Sequence, residues 1–301
     1  FLALTALSPL VRQAQKNTQH SSAAPTQAVP KDITTRAKLH TELASLYFQN
    51  GNLIVALEEL TLAIAINPAY APAYALRGVV LYHIKEFPSA ESDFQKALKL
   101  NARDPEINNN YGWYLCQTGK EKESIDYFLK AIRDPLYQTP EIAHRNAGAC
   151  HIKLGELDQA EEYLRRTLRF SPGDLQAQYH LAVIGYKRSN FDAARMYLME
   201  VIKNMPEPTP EVLWLLLRVE RKLGDKTAED SLAARLRRKF PDSPEYQELM
   251  KQKNELTSTY KDCEKEVQSL NRKLENLSQY LGQTQPDFTS EQSRKKNNPI
   301  L

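Results

Sequence analysis

Small residues recur along this chain at a fixed step. Ala44, Gly78 and Gly112 lie 34 residues apart, and Gly148 and Ala182 resume the same step after a two-residue insertion. Twelve residues after each stands a second small residue (Ala56, Ala90, Ser124, Ala160, Ala194), and four further on a bulky one (Leu60, Phe94, Phe128, Leu164, Leu198). Pro68, Pro172, Pro206 and Pro241 close several of these units. A period of this length builds each unit as one antiparallel helix pair, which buries its apolar face only by stacking on its neighbours. The small residues let two backbones approach, and proline ends the second helix.

This is tetratricopeptide (TPR) spacing. It predicts an all-α TPR superhelical solenoid of about six repeats, filling residues 36–250 as units at 37–70, 71–104, 105–138, 141–174, 175–208 and about 210–243. Apolar residues are spaced by three and four throughout, and no segment sustains period-two alternation. At 301 residues with 42% apolar content the chain could hold one or two conventional cores, but the repeat argues for one elongated stack. Forty basic residues against thirty-seven acidic give +3, which by itself points to neither nucleic acid nor an anionic membrane. Basic residues gather in the later repeats, where the simplest account is solvated helix faces. Between the third and fourth units the segment DPLYQTPE, residues 134–141, carries two prolines and the two extra residues.

In such a stack the first helix of each unit lines the concave side, through its positions 2, 5, 9, 12 and 13. That rule nominates Tyr82, Asn109, Trp113, Gln117, Arg145, Tyr179, Tyr186, Trp214 and Arg218 as a partner-binding groove. Val79, His83, Ile152, Lys153, Val183, Lys187 and Arg221 fall at equivalent places. Aromatics mixed with amides and guanidinium groups suit an extended or helical peptide. Trp113 and Trp214 also fit a second reading, packing between neighbouring first helices. Thr41 and Ser45 stand where a clamp for a C-terminal carboxylate would need lysine or asparagine, which disfavours that mode of binding.

Nothing in the sequence announces catalysis. The six histidines form no HExxH pair, and neither a phosphate-binding glycine loop nor a GxSxG elbow occurs. The expectation is a non-enzymatic protein with no cofactor, no metal and no nucleic-acid partner. Cys116 and Cys150 sit at comparable depth on the first helices of units three and four, which makes them a disulfide candidate pair in an oxidising compartment. Two separate buried thiols are the alternative.

Both ends differ from the middle. Residues 1–12 have the size and texture of the apolar core of a secretory signal, or of a short helix docked on the first repeat. Residues 13–35 read as a disordered linker. Toward the other end Leu256, Tyr260, Cys263, Val267, Leu270, Leu274, Leu277 and Leu281 alternate steps of four and three. This heptad seam, on a helix over 251–282, either caps the last repeat or joins two chains as a dimer through residues 256–281. Residues 283–301 read as a disordered tail.

Three stretches carry a family resemblance: NNNYGWYLCQTGK at 108–120, RDPLYQTPEIAHRNAGACHIKLGELDQAEEYLRRTL at 133–168, and EVLWLLLRVERKLGD at 211–225 followed by LRRKFPDSPEYQEL. Over about residues 36–250 the chain resembles the PilF/PilW family of outer-membrane TPR lipoproteins that support type IV pilus biogenesis. The resemblance implies a pilotin-like scaffold on the periplasmic side of the outer membrane, binding a secretin subunit or another pilus component. Members of that family are anchored through a lipidated cysteine directly after the signal peptide. Here Ser8, Pro9 and Leu10 stand at that point, and the first cysteine is Cys116.

Overall fold

The structure, a computed structural model, describes residues 32–283; the stretches read as residues 1–12, most of 13–35 and 283–301 lie outside the described residues, apart from Asp32 to Thr35 and Gln283. Among the described residues the chain is helical with no strand. Five hairpins follow one another: α1 (Ile33–Gln49) with α2 (Leu53–Ile66), α3 (Ala71–His83) with α4 (Phe87–Leu100), α5 (Pro105–Gln117) with α6 (Glu121–Arg133), α7 (Pro140–Leu154) with α8 (Leu157–Phe170), and α9 (Leu175–Lys187) with α10 (Phe191–Asn204). α11 (Pro210–Leu223), α12 (Lys226–Lys239) and α13 (Pro244–Gln283) complete the order. The chain forms two compact units that divide at Lys226, so α11 belongs with the five hairpins while α12 and α13 make up the second unit. The helix α1 starts inside the segment read as linker, because Asp32 accepts from the backbone N–H groups of Thr34 and Thr35 and caps it.

The periodic small residues are where each hairpin closes. A Cβ placed on Gly78 would lie 2.9 Å from the Phe94 ring, one on Gly112 would lie 2.9 Å from Phe128, and one on Gly148 would lie 2.7 Å from Leu164. In the first and fifth hairpins the facing pairs are Ala44 with Leu60 and Ala182 with Leu198, all fully buried. The facing volumes trade off: both phenylalanines oppose glycine, and alanine is found only opposite leucine. The hairpin turns share a second 34-residue series. Gly51, Gly119 and Gly155 take positive φ of 78°, 85° and 79°, and at the equivalent places Lys85 (69°) and Ser189 (58°) adopt the same left-handed conformation without glycine's freedom.

Polar pairs act both within hairpins and between them. Inside the second hairpin Arg77 of α3 grips Asp93 of α4 through two parallel bonds of 2.6 and 2.8 Å. The Arg145 guanidinium donates to Asp174 at 2.5 Å across the fourth and fifth hairpins, both side chains largely buried. Cys116 and Cys150 are joined as a disulfide with Cα atoms 6.0 Å apart, linking α5 to α7, and Cys263 is left free and exposed. The 134–139 insertion turns Tyr137 inward, where it packs on Ala131 and Ala143.

The second unit carries the heptad seam on α13. Its apolar positions from Leu256 to Leu277 are exposed.

Candidate functional site

The first helices of the five hairpins line one open cavity of about 570 Å³. Its walls come from α1, α3, α5, α7 and α9, with Tyr137 of the inserted loop closing part of the rim. Successive first helices present the same face because one repeat is a near-constant step, so equivalent positions recur as rungs along the trough.

Of the nominated residues, Asn109, Trp113, Gln117, Arg145 and Tyr179 lie together in this lining. Tyr82 does not. Its ring packs against Trp113 at 4.8 Å, Phe87 at 5.5 Å and Tyr114 at 6.2 Å, so it supports the trough from behind. Tyr186, Trp214 and Arg218 form a separate cluster between α9 and α11. The Arg218 guanidinium sits 4.3 Å over the Tyr186 ring and 5.9 Å from that of Trp214, a cation–π stack. Trp113, partly buried, packs against the apolar cluster shared by α3 and α5 and also lines the cavity.

Sequence reasoning missed one rung. Position 6 of the first helix reaches the trough in four units, as Leu76, Asn110, Asn146 and His180. The signal was available: 2, 6, 9 and 13 step by four, three and four, which is the helical stripe itself. Phe48 and Gln49 of α1 also belong to the lining and satisfy the same rule at positions 12 and 13 of the first unit. Tyr137 comes from the insertion and had no periodic signal.

One end of the trough is aromatic. Phe48 lies 5.1 Å from His83, and His83 stacks on Trp113 at 5.8 Å with planes 19° apart. The middle is lined by amides: Asn146 donates to Asn109 at 3.0 Å, joining the third and fourth hairpins. Lys153 donates to the Cys116 carbonyl and to Gln117 Oε1, each at 3.0 Å.

Arg145 is matched by Asp174. Burial holds His180 near a pKa of about 4, with Arg145 pushing the same way against Asp174, so the imidazole is neutral at physiological pH. Burial also lowers the Lys153 ammonium from its ordinary value, and it raises the Glu106 carboxyl, with Asp104 adding to the rise. A trough with aromatics at one end and tethered amides in the middle offers apolar area plus hydrogen-bond donors and acceptors. That chemistry matches a polypeptide backbone better than a charged terminus.

Comparison with known proteins places this architecture. A tetratricopeptide-repeat family model matches residues 41–105, 85–138 and 148–210, together more than half of the chain. The type IV pilus assembly protein PilF of Pseudomonas aeruginosa is 28% identical over 214 residues, covering 71% of this chain and 84% of that protein. Among solved structures, that of PilW, described as a widely conserved type IV pilus biogenesis factor, is 31% identical with a TM-score of 0.64, covering 71% of this chain and 98% of the other. The structure of P. aeruginosa PilF aligns with a TM-score of 0.62 at 27% identity, covering 73% and 99%. The repeat geometry, the family-model match and the near-complete coverage of PilW agree: this chain is a tetratricopeptide-repeat protein of the PilF/PilW family.

Proposed function

We propose that this chain is a non-enzymatic, pilotin-like factor of type IV pilus biogenesis. Its trough holds a segment of a secretin subunit or another pilus component on the periplasmic side of the outer membrane. The observation that carries this reading is the trough itself, an open channel across five hairpins whose lining combines a half-buried aromatic end with amides and the paired Arg145. Aromatic anchors supply contact area at low entropic cost, and amides can satisfy the backbone groups of an extended segment. Similarity to PilF and PilW supports the cellular setting. In that setting a rigid scaffold acts by binding: it supports assembly and localisation of the secretin and stability of the fibre, with no bond made or broken.

The test is a deletion strain, scored for secretin multimers in outer-membrane fractions and for surface pili. Both should fall, and the wild-type gene should restore both. Trp113→Ala and Lys153→Met should each restore them poorly while the purified variants keep their helicity, because each alters the lining of the trough. Unchanged multimers and unchanged piliation in the deletion strain would overturn the assignment and leave a TPR adaptor with a different client.

A further inference from the structure

The seam on α13 is the largest apolar feature outside the trough. Leu256, Tyr260, Val267, Leu270, Leu274 and Leu277 are 55–72% exposed, and Cys263 stands exposed on the same face. The family-model matches end at residue 210, so the repeat architecture accounts for none of it. A stripe that alternates four and three over eight positions has a period of 3.5, and only another helix of the same period can follow it for that length. A second copy of this chain supplies one.

We propose that residues 256–281 pair with the same segment of a second copy, as an antiparallel two-stranded coiled coil in full overlap. The steps place Tyr260, Val267, Leu274 and Leu281 at one core position (a) and Leu256, Cys263, Leu270 and Leu277 at the other (d). The flanking g positions are then Thr259, Glu266, Lys273 and Tyr280, and the e positions are Thr257, Glu264, Asn271 and Ser278. In a parallel pair each g faces an e of the next heptad. That sets Thr259 against Glu264, Glu266 against Asn271 and Lys273 against Ser278, so no opposite charges meet. In an antiparallel pair g faces g. With Leu256 opposite the partner's Leu281, Glu266 faces the partner's Lys273, and symmetry makes the pair twice.

The same charges fix the register. Sliding the helices by one heptad one way sets Glu266 against its own copy, and the other way sets Lys273 against its own. Either slip also removes two of the eight core layers. Full overlap is therefore the arrangement that joins the most apolar layers and places opposite charges together. It spans about 39 Å of helix at about 1.5 Å per residue. Cys263 then packs against the partner's Leu274, and the two Cys263 side chains lie about 16 Å apart along the axis, too far to bond.

Sedimentation of the full chain tests the pairing, and thiol cross-linking tests the orientation. The wild type should associate to a dimer with rising concentration, and Leu270→Lys should be monomeric with its helicity retained, since that side chain is exposed within the chain. Lys273→Glu should weaken the dimer roughly tenfold by replacing two attractive pairs with two repulsive ones, and combining it with Glu266→Lys should restore the affinity. Under mild oxidation the wild type should give no dimer linked through Cys263, whereas Leu274→Cys should link residue 263 of one chain to residue 274 of the other. A monomer at about 100 μM, a dimer indifferent to Leu270→Lys, or ready Cys263-to-Cys263 linkage in the wild type would each overturn the proposal. These readouts are independent of secretin and pili, so they separate failure here from failure of the pilus reading.

Discussion

Gly78→Ala sets two well-known effects against each other. Replacing glycine by alanine in a helix interior gains about 0.8–1 kcal/mol of intrinsic helix propensity. Here the new methyl would stand 2.9–3.0 Å from three carbons of the Phe94 ring, where ordinary contact begins at 3.4 Å. The ring is fully buried and is held on its other side by Tyr111 at 5.6 Å and Tyr114 at 5.1 Å, both from the next hairpin. It has no empty space to enter, and overpacking a filled core costs about 1–3 kcal/mol. The net expectation is a loss of about 0–2 kcal/mol. Phe94→Leu alone should cost about 1–2 kcal/mol through the atoms and packing removed. The double variant should recover much of the loss, because it recreates the alanine–leucine pairs that the first and fifth hairpins bury as Ala44 with Leu60 and Ala182 with Leu198. Urea unfolding followed by far-UV circular dichroism gives the four free energies of the cycle, and a coupling of at least about 1 kcal/mol is expected. A stabilised Gly78→Ala, as propensity alone would give, or an additive double variant would refute the account of the 34-residue small residue as a packing constraint.

Lys85→Gly and Ser189→Gly should each stabilise the fold by up to about 1 kcal/mol, because both residues hold a left-handed turn conformation that glycine adopts freely; a lower thermal midpoint in either would contradict this. Acid should act through His144, whose pKa is lowered from 6.5 to about 4 by burial, then by Arg166 and Arg169, and whose buried Nδ1 has no acceptor to receive a proton. Because the folded state binds that proton less readily than the unfolded one, the contribution is complete above pH 6.5 and is lost as pH falls toward 4. Its upper limit is about 3 kcal/mol, and His144→Gln should flatten the pH dependence of the urea midpoint in that window. The Cys116–Cys150 bridge closes a sequence separation of 34 residues, so a Cys116→Ser/Cys150→Ser chain should lose about 3–4 kcal/mol. Titration of the denatured, non-reduced wild type should find one reactive thiol, Cys263, and three would remove the bridge.

Much of the fold was legible because its constraint is periodic. Ala44, Gly78, Gly112, Gly148 and Ala182 mark the closest backbone approach of each hairpin, and that approach recurs with the repeat. The first-helix stripe placed Asn109, Trp113, Gln117, Arg145 and Tyr179 in the trough for the same reason. Tyr82, Tyr186, Trp214 and Arg218 obeyed the stripe too, yet lie outside the cavity lining. Their rings and guanidinium group found aromatic partners behind or beyond it, and competition among bulky neighbours is not written in the period.

The sequence by itself determined what is local and repeated: helix pairs of fixed length, the small-against-large pairing that closes them, and the heptad seam that follows. Tertiary structure alone decided what depends on neighbours meeting in space. Arg145 is neutralised by an aspartate 29 residues away, Tyr137 of the inserted loop enters the wall of the trough, and His180 is held uncharged by burial. Periodicity fixes which face a side chain occupies. Its charge state and partners follow from the three-dimensional surroundings, where desolvation and pairing outweigh position in the repeat.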